Sequence, residues 1–178
     1  MYNTSNMSQP FVIFDRDGTL IDSVPYLNDE KKLVFKPDII NALLKLKQNN
    51  YKLGIITNQS GIARGYFDMF DLEKINKKII NYLKSFNIEI AFIFICPHHP
   101  DEKCKCRKPN TELGELAIRE FNIDLKKSFM IGDQKSDLQF GLALGLRVIQ
   151  IKGGSSKSPF ANHYSDTLMD AATWITKL

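Results

Sequence analysis

Residues 11–20 read FVIFDRDGTL, a short apolar run that ends at two acidic residues and a glycine. The run Phe11–Phe14 has the length and the composition of a buried β-strand. The chain should turn directly after it, because Asp17-Gly18 is a common turn pair. The stretch therefore places Asp15 and Asp17 at the carboxyl end of a strand, where open α/β sheets bind their ligands.

The same strand pattern recurs along the chain and alternates with amphipathic helical patterns. Four further apolar runs are at Leu53–Ile56, Ala91–Ile95, Phe129–Ile131 and Val148–Ile151. Helical patterns lie near Ile39–Lys47, Leu72–Phe86, Leu113–Phe121 and Leu138–Leu144, and a loop over 153–159 precedes a short C-terminal helix. This alternation predicts an α/β, Rossmann-like fold, with a parallel sheet and helices on both faces. We expect one continuous domain over residues 1–178.

Composition limits the classes of partner. Lys and Arg number 24 against 20 Asp and Glu, a small excess that favours an anionic substrate. The lysine-rich stretches 45–52 and 74–78 lie in helical patterns without interleaved aromatic residues, so we expect solvated helix faces and no nucleic acid partner. Residues Met1–Gln9 are polar, and no apolar run approaches the roughly 18 residues of a membrane span. We expect a cytoplasmic monomer with no membrane contact.

Polar residues follow the first four apolar runs: Asp15, Thr57, Cys96 and Asp133. In a parallel sheet all of them lie at one edge. With Asp15 and Asp17 there, one carboxylate can attack a substrate while the other transfers protons. A plain Asp-Gly turn with surface acids is the alternative.

Two of these loops suit a phosphate group and a cation. Residues 57–65 read TNQSGIARG, whose hydroxyl, amide and backbone N–H groups can bind phosphate oxygens, although polar loops after strands are also common. Asp133 would repel Asp15 unless a cation lay between them, and Mg²⁺ fits that requirement. Asp137 either supports this metal or caps the following helix.

A second metal site is predicted at residues 96–106, the zinc-binding loop. Cys96, His98, Cys104 and Cys106 form a Cys₃His set, which is typical of structural zinc, although free thiols are the alternative and His99 is a second candidate for the imidazole ligand. Arg107 and Lys108 follow directly. A loop ordered by metal would fix where these cations point, as a clamp for phosphate.

Together these motifs resemble the haloacid dehalogenase superfamily of phosphatases, over Phe11 to about Gly153. The resemblance implies a nucleophile at Asp15, a general acid and base at Asp17, and phosphate contacts from Thr57 and Lys108. It also implies Mg²⁺ bound by Asp15, Asp133 and the backbone carbonyl of Asp17. Only one helical pattern lies between Asp15 and Thr57, so we expect no large cap and an open site.

Within the superfamily, the chain resembles the branch of heptose bisphosphate and histidinol-phosphate phosphatases. The runs at 57–65 and 96–100 resemble the heptose enzymes, whereas the short zinc loop resembles the histidinol-phosphate enzymes. Residues 23–26 and 110–112 depart from the usual pattern. Candidate substrate-binding residues are Ser23, Tyr26, Asn58, Gln59, Ser60, Arg107 and Lys108.

The resemblance implies that the substrate is a small phosphorylated sugar. We expect hydrolysis of the 7-phosphate of D-glycero-D-manno-heptose 1,7-bisphosphate, with histidinol phosphate or a polynucleotide 3'-phosphate as alternative substrates. Two different classes of protein share such motifs, namely a phosphotransferase and a catalytically silent phosphate-binding module. The intact pair Asp15 and Asp17 argues against a silent module, and the absence of a large cap argues against a transferase that must exclude water.

Overall fold

The computed structural model describes residues 8–178, so most of the polar segment predicted at Met1–Gln9 lies outside the described residues. Six strands form one parallel sheet in the order β3-β2-β1-β4-β5-β6. The strands are β1 (Phe11–Phe14), β2 (Lys52–Asn58), β3 (Phe92–Cys96), β4 (Phe129–Gly132), β5 (Arg147–Ile151) and β6 (His163–Ser165). The strand order reverses at β1, so β1 lies at the switch point where parallel α/β sheets open a ligand crevice.

In the described part of the chain, five α-helices cover the two faces of this sheet. They are α1 (Ile39–Gln48), α2 (Met69–Ser85), α3 (Glu112–Phe121), α4 (Lys135–Ala143) and α5 (Leu168–Ile175). Val12 and Phe14 of β1 pack into one apolar core with α1, α2 and α5, whereas Phe11 and Ile13 pack into a second core with α3 and α4. Alternate residues of the central strand thus point to opposite layers, as strand geometry requires. The predicted fold class is confirmed.

The structure differs from the sequence-based prediction at the sheet edge. Strand β6 was not predicted, because His163–Ser165 is only three residues long and contains no apolar run. These residues form a strand because they pair with β5, and their composition alone does not favour a strand. The predicted short C-terminal helix is present as α5.

The chain between β1 and α1 carries no large cap. Ile21 pairs with Phe35 in an antiparallel bridge, and a 3₁₀ turn at Glu30–Lys32 lies in the connecting segment. Residues 21–35 form a small flap, and the flap and α1 are the ordered elements between Asp15 and β2. Within residues 8–178, no helix is both long and apolar enough to span a membrane.

Candidate active site and metal centres

The carboxyl edge of the sheet brings the predicted site residues together. Asp15 directly follows β1 and Asp133 directly follows β4, whereas Thr57 lies at the carboxyl end of β2. Cys96 is the last residue of β3, and its register partner is Asn58 of β2. Since β1 pairs with both β2 and β4, these residues flank Asp15 on either side.

Lys108 reaches into the centre of this edge and is almost fully buried, with 2% of its surface exposed. Its ammonium lies 2.7 Å from Asp15 Oδ1, 2.8 Å from Asp137 Oδ1 and 2.6 Å from the backbone oxygen of Ile56. An ammonium has three protons, so all three are engaged. A substrate phosphate would therefore have to compete with one of these acceptors for Lys108.

Opposing effects set the pKa values of Asp15 and Lys108, which form a buried ion pair. Burial is the largest effect on the pKa of Asp15 and raises it to about 7, with Asp137 and Asp17 adding to the rise while Lys108 opposes it. Burial alone would lower the pKa of Lys108, but the carboxylates of Asp137 and Asp15 outweigh it and the pKa lies above its ordinary value. Lys108 is thus a cation, and Asp15 needs further positive charge to be a fully ionised nucleophile.

Asp137 caps a helix, as one of its two predicted roles requires, and also pairs with Lys108. Its Oδ2 accepts a hydrogen bond of 3.0 Å from the backbone N–H of Gln134, completing a capping box at the start of α4. Its Oδ1 pairs with Lys108. Asp137 therefore orients Lys108 from a fixed position on a helix N-terminus.

Carboxylate oxygens of Asp15, Asp133 and Asp137 lie within 4.8 Å of one another, which suits a divalent cation. Asp133 is 2% exposed, and its buried Oδ1 has no hydrogen-bond partner within residues 8–178. Burial raises the pKa of Asp133, and the Asp137 carboxylate raises it further. An unpartnered buried carboxylate oxygen among other acids is the environment that Mg²⁺ would stabilise.

Glycines leave room around Asp133. A Cβ atom on Gly18 would lie 2.5 Å from Asp133 Oδ2, and one on Gly154 would lie 2.2 Å from the same oxygen. Gly18 also has a φ of +85°, which L side chains rarely adopt. The backbones after β1 and β5 can therefore approach this carboxylate closely.

Asp17 lies apart from the cluster of three carboxylates. Its side chain forms hydrogen bonds with the guanidinium of Arg16 and with Gln59, whose Nε2 is 2.7 Å from Asp17 Oδ2. About a quarter of the Asp17 side chain (24%) is exposed, so it can meet a ligand entering from solvent. The two acids of the first motif thus have different surroundings, which suits two different roles.

The loop after β2 is largely engaged in holding the site together. Gln59 Nε2 also donates to Thr57 Oγ1 at 2.8 Å, and the side-chain amide of Asn58 bonds both the N–H and the carbonyl of Lys108. Ser60 is partly buried, and its carbonyl accepts from the N–H of Arg64. Asn58 and Gln59 are placed to position Lys108 and Asp17, and their predicted contact with substrate stays a prediction.

Arg107 and the flap lie nearer the solvent. Arg107 is partly buried, and its Nη1 is buried with no hydrogen-bond partner among the residues that the structure describes. Ser23 and Tyr26 are exposed, and the Tyr26 ring lies 4.2 Å from the ring of Tyr66, centroid to centroid. Tyr66 belongs to the loop after β2 and was not predicted, because nothing in its sequence context distinguishes it from an ordinary exposed aromatic residue.

The predicted zinc ligands converge. Their ligand atoms lie within 4.8 Å of one another, with Sγ–Sγ distances of 3.1 to 3.5 Å among the three cysteines and 3.1 Å from Cys106 Sγ to His98 Nδ1. A tetrahedral site with metal–sulfur bonds of about 2.3 Å has sulfur–sulfur separations of about 3.8 Å, so a bound metal would need these sulfur atoms to move slightly apart. His99 is not in the cluster, since its ring caps the 3₁₀ turn at Pro100–Glu102.

The zinc loop is tied to the catalytic edge by backbone bonds. The N–H of Gln59 donates to the carbonyl of Cys96 at 2.7 Å, and the N–H of Ala63 donates to the carbonyl of Pro97 at 3.3 Å. The loop leads from Cys106 directly into Arg107 and Lys108. Order in this loop therefore determines where both cations lie.

Comparisons with known proteins agree with this geometry. Residues 10–169 match the family described as polynucleotide kinase 3 phosphatase. The chain is 36% identical over 147 residues, 82% of its length, to a Thermoplasma acidophilum protein named "Probable D-glycero-D-manno-heptose-1,7-bisphosphate 7-phosphatase", of which it covers 92%. It is 40% identical over 144 residues, 79% of its length, to the bifunctional histidine biosynthesis protein HisB of Campylobacter jejuni subsp. doylei, but covers only 41% of that protein.

A solved structure shows the same architecture. The D,D-heptose 1,7-bisphosphate phosphatase from B. bronchiseptica, complexed with magnesium and phosphate, superposes with a TM-score of 0.87 at 26% sequence identity. The match covers 94% of this chain and 98% of that one. With its acidic, lysine-centred edge and its parallel sheet, the chain belongs to the polynucleotide kinase 3 phosphatase family and is a phosphoric monoester hydrolase of the haloacid dehalogenase fold.

Proposed function

We propose that this phosphatase hydrolyses the 7-phosphate of D-glycero-D-manno-heptose 1,7-bisphosphate through a phosphoaspartate on Asp15. The observation that carries the chemistry is the contrast between its two acids. Asp15 is buried against Lys108, whereas Asp17 is partly exposed and held by Arg16 and Gln59. One carboxylate is thus arranged to attack and the other to exchange protons with a ligand.

The reaction has two displacements. In the first, an oxygen of Asp15 forms a bond to phosphorus, the bond from phosphorus to the sugar oxygen breaks, and Asp17 gives its proton to that oxygen. In the second, Asp17 takes a proton from water as the water oxygen attacks phosphorus. The bond to Asp15 then breaks, releasing inorganic phosphate. Lys108 and Thr57 bind the phosphoryl oxygens, whose negative charge the site must stabilise throughout.

We also propose Mg²⁺ as the resident cation, held by Asp15, Asp133 and the backbone carbonyl of Asp17. The unpartnered Oδ1 of buried Asp133 supports this assignment. When bound, the ion would supply positive charge to the phosphoryl oxygens and keep Asp15 ionised. Asp137 stays with Lys108 and with the cap of α4 in this assignment.

Zinc is proposed for the Cys₃His cluster, in a structural role. Four protein ligands would leave no open position for water, so this metal would order the loop and not take part in hydrolysis. Two of the thiols, Cys96 and Cys106, are buried. A bound cation would let them be thiolates despite the burial that raises their pKa.

Metal analysis of the purified chain should find about one zinc per molecule. Cys104→Ser should lower that content and reduce kcat about 10- to 100-fold, because Arg107 and Lys108 would lose their fixed positions. The measurement is zinc content together with kcat, with Lys105→Ser as the control because Lys105 is exposed on the same loop. Full activity in zinc-free protein would contradict the proposal.

The heptose assignment has support from the relatives and from Arg107. A heptose bisphosphate carries a second phosphate away from the reacting one, and the partly buried guanidinium of Arg107 is a cation that could donate hydrogen bonds to it. Binding energy from this remote group can raise kcat as well as lower KM. Histidinol phosphate is the second candidate, favoured by the 40% identity to HisB.

Direct competition separates these substrates. We expect kcat/KM for the heptose bisphosphate to exceed that for histidinol phosphate by at least about tenfold, since a cationic amine would lie poorly beside Arg107 and Lys108. Arg107→Ala should reduce kcat/KM for the bisphosphate more than for an aryl phosphate, whereas Arg119→Ala on the exposed face of α3 should affect neither.

Two outcomes would redirect the assignment. A higher kcat/KM for histidinol phosphate would replace the sugar while leaving the phosphoaspartate chemistry in place. The matching family is described as polynucleotide kinase 3 phosphatase, so an oligonucleotide with a 3'-phosphate should be tested as a third substrate. A higher kcat/KM for this oligonucleotide would likewise replace the sugar as the substrate. The absence of a nucleic acid partner, the monomeric state and the cytoplasmic location remain predictions.

A further inference from the structure

Arg16 takes part in no bond-making or proton-transfer step of the proposed reaction, yet it is completely buried, with 0% of its surface exposed. It lies between Asp15 and Asp17 in the first loop. A buried guanidinium is costly unless it is paired and hydrogen-bonded. Its partners therefore indicate what it is for.

The first partner is the neighbouring Asp17. Arg16 Nε donates to Asp17 Oδ2 at 3.0 Å, and Arg16 Nη2 donates to Asp17 Oδ1 at 3.1 Å. Two parallel bonds of this kind fix the plane of a carboxylate as well as its position. Consecutive residues of an extended strand point to opposite faces, so this pairing depends on the turn that the chain makes after β1.

The second partner is Asn76 of α2. Arg16 Nη1 donates to Asn76 Oδ1 at 3.0 Å. The other buried residues of α2 are apolar, namely Leu72, Ile75, Ile79 and Leu83. A polar side chain in such a row needs a partner, and Arg16 supplies it. The guanidinium is thereby fixed to a helix packed against the sheet.

We propose that Arg16, anchored by Asn76, is a positioning residue that holds the carboxylate of Asp17 in one orientation for proton transfer to the leaving oxygen. The inference rests on the proposed acid and base role of Asp17. Gln59 completes the arrangement by donating to Asp17 Oδ2 from the loop after β2. Because both oxygens of the Asp17 carboxylate accept hydrogen bonds, the carboxylate keeps one orientation although it is partly exposed to solvent.

The test compares two substrates that differ in how much the leaving oxygen needs a proton. In phosphoaspartate formation, an alkyl phosphomonoester has a poor leaving group and needs the proton of Asp17, whereas p-nitrophenyl phosphate does not. The later hydrolysis of the phosphoaspartate needs Asp17 for both substrates. Asn76→Leu removes the acceptor for Arg16 but keeps the charge pair. It should lower kcat/KM, which reports the steps up to phosphoaspartate formation, about 10- to 100-fold for the alkyl ester, as expected for a misplaced catalytic group. The loss on p-nitrophenyl phosphate should be much smaller.

Conservative and control variants make the test specific. Asn76→Asp keeps an oxygen at the same position and should retain most of the alkyl-ester activity, and Asn81→Leu, on the exposed side of α2, should behave as the unchanged chain. Arg16→Met should reproduce the effect of Asn76→Leu with a larger loss, provided that it folds. Asn76→Leu carries the test if Arg16→Met does not fold.

Equal losses on both substrates, or no loss in Asn76→Leu, would overturn the positioning role. Asp17→Asn, measured on the same pair, separates this failure from a failure of the proposed mechanism. If Asp17→Asn itself shows no dependence on the leaving group, the acid role of Asp17 is wrong. If it shows that dependence while Asn76→Leu does not, only the inference about Arg16 and Asn76 fails.

Discussion

Asp15→Asn should abolish turnover while the chain stays folded. The amide keeps the shape of the side chain but removes the charge that attacks phosphorus. We expect kcat to fall by at least about 10⁴-fold, as for other variants that lose a covalent nucleophile. The loss should be the same for sugar phosphates and for p-nitrophenyl phosphate, because both need the same attacking oxygen.

The stability of this variant is a second readout. Burial raises the pKa of Asp15 to about 7 from its ordinary 3.8. Ionisation of Asp15 therefore lowers the free energy of unfolding. The loss begins at about pH 4, grows as the pH rises, and is complete above about pH 7. Without divalent cations at pH 8, Asp15→Asn should unfold at a temperature no lower than the unchanged chain.

Asp22→Asn is the matched control for Asp15→Asn. Asp22 lies on the flap and pairs with Lys36 at 2.9 Å, with about half of its side chain exposed (49%). It should keep full activity, since it touches none of the residues at the carboxyl edge. Turnover above about 1% in freshly prepared Asp15→Asn would show that another group attacks phosphorus.

The core of the fold was predictable because it is specified by local patterns. Buried parallel strands read as apolar runs, so the central strands were found from composition alone. Strand β6 was not, since its three residues owe their order to pairing with β5. Strand β6 forms because of tertiary contacts, so its sequence shows no alternation of apolar and polar residues that would predict a strand.

The site was predictable where a motif places residues directly after a strand. Asp15, Thr57 and Asp133 meet at one edge for that reason. The supporting bonds were not predictable, since they join segments far apart in sequence, such as the Asn58 amide to the backbone of Lys108. Asn76 did leave a weak signal, as one polar residue within the apolar stripe of α2.

Lys108 contributes both to the stability of the fold and to the binding of the phosphoryl group. Its ammonium lies between Asp15 and Asp137 and also bonds the carbonyl of Ile56, and its side chain is only 1% exposed. Removing one partner of a buried ion pair leaves the opposite charges without compensation. The phosphoryl group would lose its contact with the Lys108 ammonium at the same time.

Lys108→Met should therefore lose activity and stability together. We expect the free energy of unfolding to fall by about 3–5 kcal/mol, because two buried carboxylates lose their shared cation. Combining it with Asp137→Asn should restore part of that stability but none of the activity, since one of the two unpaired charges is removed while the phosphate contact is still missing. Urea unfolding and kcat/KM measure the two effects, with Lys105→Met as the exposed control. Unchanged stability in Lys108→Met would mean that neighbouring groups or water replace the ammonium, and the central role of Lys108 would be wrong.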